Sequence, residues 1–459
     1  MAGEVSWNNL PSVILNEIFS YLSHNDKVRA SSTCSNWRLA LSHPKCWRNV
    51  KFVVKPQDNF ANSIARTRYL VEFAARKLHN AVITFDSMDP ACVDEISNVI
   101  ESLAENANLK SLFLNPSNCS LDCPSGQGDD WSKYIESKFA TPLINAIRKS
   151  HQMEALSLGC LEELISSHAK NILELIVNKH ANNIKVLGLA TIKDYPDDYF
   201  ITDLNIRLLK PLVNLQILSI DYCHVNDNLL HILGDTQLRR LVVHVHGIMD
   251  EHPGTTEGAW TYLTRKLPHC ELRLTLIHSY DGVDVLHTKI LRHAMPLTHL
   301  KVFFCEKLNI EAVHQLSLYS DTLRSIWWVD SMSNTGNHSL VESTLVNPFV
   351  MCCWRCHKLE ELVFIGHKYL SLDVIAVIRL RGETLTHLCL AADDIAFYAD
   401  PPDPSVEPTL KELQQEISDH IGRPWTALVE PQLHPVIWNP TAGDSDEFVL
   451  PIVLKDIEP

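Results

Sequence analysis

The sequence predicts an α/β chain: a short three-helix module at the N-terminus, then a curved solenoid of parallel strands covered outside by helices, then a capping tail. Three observations predict it. Residues 5–47 carry more large apolar side chains at helical spacing than 45 or so residues can bury among themselves. Apolar residues then recur at relative positions 1, 4 and 6 through most of the chain. Finally, Asp400–Pro408 (DPPDPSVEP) interrupts that pattern with four prolines. The boundaries that follow are 5–50 for the helical module, 51–80 for a linker helix region, 81–399 for the solenoid and 400–459 for the Pro-rich linker and cap.

Pro11 stands at the front of the first helix, where its missing N–H costs least. Ile14, Leu15, Ile18, Phe19 and Leu22 then form a broad apolar stripe. The polar break Ser23-His24-Asn25-Asp26 starts a second helix, and a third runs through Trp37–Leu41 and stops before Pro44. Part of the apolar surface needs a partner. The arrangement closely resembles the F-box, on the strength of Leu10-Pro11, Leu15, Ile18-Phe19, Leu22, Asp26, Cys34, Trp37-Arg38 and Trp47. Two departures are small: Cys46 stands where Leu is usual, and Thr33 where Val is usual. The resemblance implies docking on the Skp-type adaptor of cullin-RING ubiquitin ligases. The expected adaptor contacts are Leu10, Pro11, Leu15, Ile18, Phe19 and Leu22, flanked by Trp7, Trp37 and Trp47.

The repeat starts with Leu109-Leu112-Leu114 and continues with Met153-Leu156-Leu158, Ile184-Leu187-Leu189 and Leu215-Leu218-Ile220. Leu238-Leu241-Val243, Leu297-Leu300-Val302, Leu323-Ile326-Trp328, Leu359-Leu362-Phe364 and Leu385-Leu388-Leu390 follow, with weaker copies at Val82–Phe85 and Leu272–Leu276. In a strand, positions 4 and 6 share one face and positions 3, 5 and 7 the other. Helical patterns such as Cys92–Leu103, Leu161–Val177, Val285–Ala294 and Val374–Ile378 lie between. This spacing resembles leucine-rich repeats, in an irregular form: Cys223 and Cys305 alone keep the expected Cys at position 9. Asn115–Asp130 reads as a long loop, Leu410–Ile421 as a helix, and Arg423–Pro459 as an extended segment with scattered apolar anchors.

Composition excludes several classes. A net charge of −15 opposes nucleic acid or an anionic membrane as the main partner. No secretory signal or membrane-spanning run is apparent. Thirteen cysteines without a tight framework suit reduced thiols in cytosol or nucleus. The sequons at Asn118 and Asn337 would then stay unused. Cys352-Cys353-Trp354-Arg355-Cys356-His357 is metal-like, but no second pair follows, so buried helix cysteines are expected, with no metal or cofactor. No HExxH or GxSxG appears, and Gly126-Gln127-Gly128 lacks a preceding strand, so no catalytic residue is assigned. Asp194–Asp198 and Gly443–Glu447 read as solvated acidic loops, the second with Ser445 as a phosphorylation candidate.

An adaptor-docking module ahead of repeats implies a non-catalytic substrate receptor of an SCF-type ligase. A non-degradative scaffold and a repeat protein merely capped by helices stay open. On the open strand face, early repeats carry small residues: Ala155, Ser157, Gly159, Gly188, Ala190 and Ser219. Later ones carry His299, Lys301, Phe303, Phe304, Trp327, Val329, Val363 and Ile365. Either this patch meets a protein target, or the tail with Trp425 and Trp438 folds over it.

Overall fold

The computed structural model of the protein describes residues 7–56, 60–122, 129–193, 204–249, 251–332, 347–397, 409–441 and 443–459. Packing divides the chain into two compact units, Met1–Pro116 with Leu121–Leu156, and Ser117–Ser120 with Ser157–Pro459.

The first unit opens with α1 (Ser12–Tyr21), α2 (His24–Ser31) and α3 (Ser35–Leu41). The Pro11 carbonyl accepts the first helical bond of α1, from Leu15 N at 3.0 Å. Ser23 Oγ accepts the Asp26 N–H at 3.2 Å and starts α2 at the polar break. Leu15, Phe19, Leu41 and Trp47 are buried and form the core of the helical module. Phe19 meets Trp37 edge-on at 5.9 Å, and Trp47 Nε1 donates to the Leu41 carbonyl at 2.5 Å.

Next come β1 (Asn49–Val54), α4 (Phe60–Ala74), β2 (Asn80–Phe85), α5 (Pro90–Leu103), β3 (Ser111–Pro116), α6 (Asp129–Ile135) and α7 (Thr141–Lys149). Strands β1, β2 and β3 pair in parallel in that order. Strand β1 corrects the expectation of a linker helix region over 51–80, in which α4 alone is helical. Val50, Phe52 and Val54 alternate inward and pair in register with Ala81, Ile83 and Phe85. The parallel array therefore begins one repeat earlier than the leucine spacing indicates.

Strand β4 (Ala155–Ser157) falls across the division between the units. The second unit continues with α8 (Glu162–His180), β5 (Val186–Gly188), β6 (Ile217–Asp221), α9 (Asp227–Leu233), β7 (Arg240–Val245) and α10 (Glu257–Lys266). Then come β8 (Glu271–Ile277), α11 (Tyr280–Asp284), β9 (Leu297–Phe303), α12 (Ile310–Leu316), β10 (Ser325–Val329) and α13 (Pro348–Arg355). The remaining elements are β11 (Glu361–Ile365), β12 (Tyr369–Leu370), α14 (Ser371–Arg381), β13 (His387–Leu390), β14 (Ile395–Ala396), α15 (Leu410–Ile421), α16 (Pro435–Trp438) and α17 (Ser445–Val453). The sheet order β5-β6-β7-β8-β9-β10-β11-β13 is parallel throughout, and β12 pairs with β14 apart from it. Positions 4 and 6 are buried as the alternation requires, for example Leu241 and Val243, Leu300 and Val302, Ile326 and Trp328. Leu230, Leu263, Leu316, Phe349 and Ile378 on the helices are buried in turn.

Strand ends leave backbone N–H groups that the next repeat must satisfy. Cys305 does so at position 9, its Sγ accepting the Ser279 N–H at 3.3 Å. Elsewhere carboxylates take over. Asp221 Oδ1 accepts from Thr191 N at 2.9 Å, Asp330 Oδ1 from Glu306 N at 2.8 Å, and Asp394 Oδ2 from Gly366 N at 2.7 Å. The array looks irregular at position 9 because this capping has moved to aspartates elsewhere in the repeat.

Helix α15 matches its predicted span, with a Thr409–Glu412 capping box and Gly422 in the left-handed conformation just past its end. Residues 423–459 differ from the extended segment predicted. They hold α16, α17 and a closing turn, Leu454–Ile457.

Candidate interaction surfaces

The helical module sorts its apolar residues into two sets. Leu15, Phe19 and Trp47 have no accessible surface, so they are the module's core and not the direct adaptor contacts expected of them. Trp47 also packs on Phe73 of α4 at 5.1 Å and stacks with His24 at 5.7 Å. Leu10, Ile18, Leu22 and Trp37 are half-buried, and Pro11 is exposed. Trp7 is 71% exposed, tethered by Trp37 Nε1 donating to its carbonyl at 3.0 Å. Val13 (76%), Tyr21 (81%) and Leu39 (73%) are exposed with Ile14; of these only Ile14 belongs to the apolar stripe read from the sequence, and none was among the expected contacts. Their signal was spacing: Val13 and Tyr21 lie two turns apart on one side of α1.

The aromatic patch on the strand face behaves oppositely. Phe303, Phe304, Val329, Val363 and Ile365 are buried against Val436, Ile437, Val449, Leu450, Val453 and Leu454 of the tail. Their assignment as a target-binding surface is corrected: the chain's own C-terminus covers them. Phe448 closes over Phe303 and Phe304 at centroid distances of 6.0 and 6.1 Å. Trp425 and Trp438 are not the cover. Trp425 donates to the Leu388 carbonyl at 3.0 Å, beside β13, and Trp438, 37% exposed, lies outside the buried cluster.

Lys301 is likewise taken. Its ammonium lies 2.6 Å from Asp456 Oδ2, with both side chains buried, and Arg273 Nη1 reaches Asp456 Oδ1 at 2.8 Å. Burial alone would raise the Asp456 carboxyl's pKa. Lys301 and Arg273 outweigh it and hold the group below the ordinary carboxylate value. Arg240 Nη1 adds bonds to the Asp456 and Glu458 carbonyls at 2.9 and 2.7 Å. Beyond them the small residues make room for the turn: a side chain at Gly188 would meet Ile457 Cδ1 at 3.1 Å. Gly188 among the early small residues and Phe303, Phe304, Val329, Val363 and Ile365 among the late large ones thus meet one object, the tail.

Of the predicted patch, His299 and Trp327 stay partly open. Trp327 Nε1 donates to Glu361 Oε2 at 3.0 Å, and its ring stacks on His387 at 5.5 Å. Burial and the Arg273 charge push the His299 imidazole down to about 4, so it is neutral at physiological pH. A cleft of about 740 Å³ lies between the strand ends and the tail, lined by His278, Tyr280, Phe304, Asp330, Ser331 and Ser445 among others. Ser445 Oγ, the phosphorylation candidate, is 3.0 Å from His278 Nε2 there.

Cys352 and Cys353 lie on α13 and Cys356 just after it, all buried, with Cys352 Sγ 3.7 Å from Cys356 Sγ. His357 faces elsewhere, accepting from Arg381 Nη2 at 2.5 Å. Among the described residues, ligand geometry is met by Asp221, His244 and His246, all buried, with one donor atom from each within 4.8 Å of the others. The sequence signal was His244-Val245-His246, since residues i and i+2 of an extended pattern share a face, although β7 itself stops at Val245. Asp194–Asp198 and Gly126-Gln127-Gly128 lie outside the described residues, as does Asn337. No described helix is long and apolar enough to cross a membrane. The described cysteines are all free thiols.

The F-box-like family profile matches residues 7–53. Human F-box only protein 33 is 24% identical over 476 aligned residues, covering 92% of this chain and 83% of that protein. Its mouse counterpart is 25% identical over 484 residues, with the same coverage. Sheep F-box/LRR-repeat protein 21 is 21% identical over 445 residues, covering 94% of this chain and 91% of its own. Among solved structures, an internalin from Listeria monocytogenes covers 84% of this chain and 89% of its own at 15% identity, with a TM-score of only 0.27. The chain therefore carries an F-box-like domain at its N-terminus, followed by a parallel-strand array with helices outside, and its relatives over most of its length are F-box proteins.

Proposed function

We propose that this chain is a non-catalytic substrate receptor of an SCF-type ubiquitin ligase, working in the cytosol or nucleus. The F-box-like domain would dock on the Skp-type adaptor, and through it on a cullin-RING ligase. The observation that carries this is the solvent-exposed set Trp7, Val13, Ile14, Tyr21 and Leu39 on a module whose core is already complete without them. Such a cluster is unlike an ordinary solvated surface. Burying one such side chain is worth roughly 1.5–3 kcal/mol. The second unit would hold a protein target beside ubiquitin carried on another subunit, acting by proximity, with effective concentrations of about mM. With Phe303 to Ile365 covered, the target would use the open edge at Trp327, His299, Glu361 and His387. Trp327 is the aromatic anchor there.

Replacing Ile14 by Asp together with Tyr21 by Ala tests the docking face without touching the core. Adaptor capture by the purified double variant should fall at least tenfold while its melting temperature stays within a degree or two. Undiminished capture would remove the assignment.

A further inference from the structure

We propose that Asp221, His244 and His246 form a binding site for one divalent transition-metal ion, Zn²⁺ by its ligand chemistry, that fastens the segment after β5 to β6 and β7.

The ligands come from two adjacent strands. Asp221 ends β6, and His244 is its direct partner in β7. His246 lies two residues on from His244, just past the end of β7, and its ring reaches the same carbonyl. Both imidazoles converge on one atom: His244 Nδ1 is 2.9 Å and His246 Nε2 3.0 Å from the Thr191 carbonyl oxygen. Asp221 Oδ1 stands 3.6 Å from His246 Nε2. Two nitrogens, a carboxylate oxygen and a carbonyl oxygen thus face a common centre. Zn–N and Zn–O bonds of about 2.0–2.2 Å in a tetrahedral site place donor atoms roughly 3.3–3.5 Å apart. The three side-chain donors, within 4.8 Å of one another, would need to close by up to about 1.5 Å to meet it. A mixed imidazole and carboxylate set suits Zn²⁺ better than Ca²⁺ or Mg²⁺, which prefer all-oxygen shells.

A second observation points the same way. His244 Nε2, Ser219 Oγ and Thr275 Oγ1 are buried without hydrogen-bond partners. Such orphans are uncommon in folded proteins. Thr275 sits directly across from His244 in β8, and Ser219 is on the same face of β6. With the metal on Nδ1, the imidazole proton sits on Nε2, and the register puts Ser219 and Thr275 on the same sheet face as His244. Metal-bound histidines regularly hand their other N–H to an outer acceptor, and Nε2 is a buried ring nitrogen with no other bond to give up. Hydrogen bonding alone explains Thr191 and Asp221, and leaves these three atoms unexplained. Lys193, the cation nearest in sequence, is engaged with Glu162 at 3.4 Å. With three protein side chains and the Thr191 carbonyl, the site is closed and structural, with no position left for a substrate.

The test uses the full chain, stripped with a chelator and titrated with Zn²⁺ against a chromophoric competitor. One equivalent should bind, and a zinc-saturated sample should melt a few degrees higher than the stripped one. The Asp221→Asn and His246→Gln variants should bind at least tenfold more weakly and show no zinc-dependent rise in melting temperature. Co²⁺ in the unaltered chain keeps the proposal falsifiable if a variant fails to fold. It should give visible ligand-field bands without thiolate charge-transfer absorption. Substoichiometric binding, equal binding by His246→Gln, or thiolate bands that place the ion on Cys352, Cys353 or Cys356 would each overturn the proposal.

Discussion

Trp7, Val13, Tyr21 and Leu39 stand in solvent on the helical module, whereas Phe303, Val329, Val363 and Ile365 on the strand face lie beneath α17. Both sets are large apolar residues that their own local element cannot bury. The difference is where the complement is encoded. The strand face finds its cover within the same chain, so that cover is present at a high effective concentration whatever else the cell contains. The module's outer face has no such segment among the described residues, and under the proposed function its complement comes from another molecule. An apolar face that a repeat leaves open is therefore not in itself evidence of a target site. The test is whether polar anchors elsewhere in the chain match it, as Asp456 matches Lys301 and Arg273.

The comparison breaks most visibly if the tail is removed. A chain ending at Gly443 loses α17 and the closing turn and bares Phe303, Phe304, Val329, Val363 and Ile365. It should aggregate or bind a hydrophobic dye strongly, as judged by light scattering and dye fluorescence. A soluble, dye-silent truncated chain would mean that the face tolerates solvent.

A smaller effect is expected from Lys301→Ala, which leaves Asp456 buried beside Arg273 alone. Losing one partner of a buried pair costs about 3–5 kcal/mol. Denaturant unfolding should report a loss of that order, and replacing both partners, with Lys301→Met and Asp456→Leu, should restore much of it. A loss below about 1 kcal/mol would place the pair in solvent.

Smaller again is the contribution of Asp394, a strand-end cap that is nearly all buried. Burial raises its carboxyl from 3.8 to about 6, against the lowering influence of the Gly366 N–H and Lys368. The folded chain keeps this proton up to about pH 6, while the unfolded chain releases it near 3.8. Between those values the folded state binds more protons, so stability falls as pH rises through the window. Asp394→Asn keeps an acceptor for Gly366 without the charge. It should gain on the order of 1–3 kcal/mol at neutral pH and flatten the pH dependence of unfolding between about 4 and 6. An unchanged pH profile would remove this role.

Much of the fold was legible because burial repeats. Apolar residues at positions 1, 4 and 6 mark most strands of the sheet, with weaker copies at β2 and β8, and typed residues at fixed spacing mark the F-box-like domain. Strand β1 escaped because Val50, Phe52 and Val54 alternate without the leading leucine. The sites were less legible, since they depend on contacts without sequence period. Lys301 looks like a surface cation until Asp456, 155 residues later, is seen against it. Leu15 and Phe19 belong to the same stripe as Ile14 and Ile18, and only the packing of Trp37 and Trp47 decides which are core. His244 and His246 were readable as a pair on one strand, but Asp221 and Thr191 join them only through the sheet.

Hydrogen–deuterium exchange of the full chain, alone and with a saturating Skp-type adaptor, tests the central contrast most directly. Without the adaptor, amides of Phe448–Val453 and of β9–β11 should already exchange slowly, while those of Trp7–Leu10 exchange fast. With it, new protection should fall within Trp7–Trp47 and leave the tail unchanged. Fast exchange in α17 without adaptor, or new protection on β9–β11 in place of the N-terminal helices, would contradict the account.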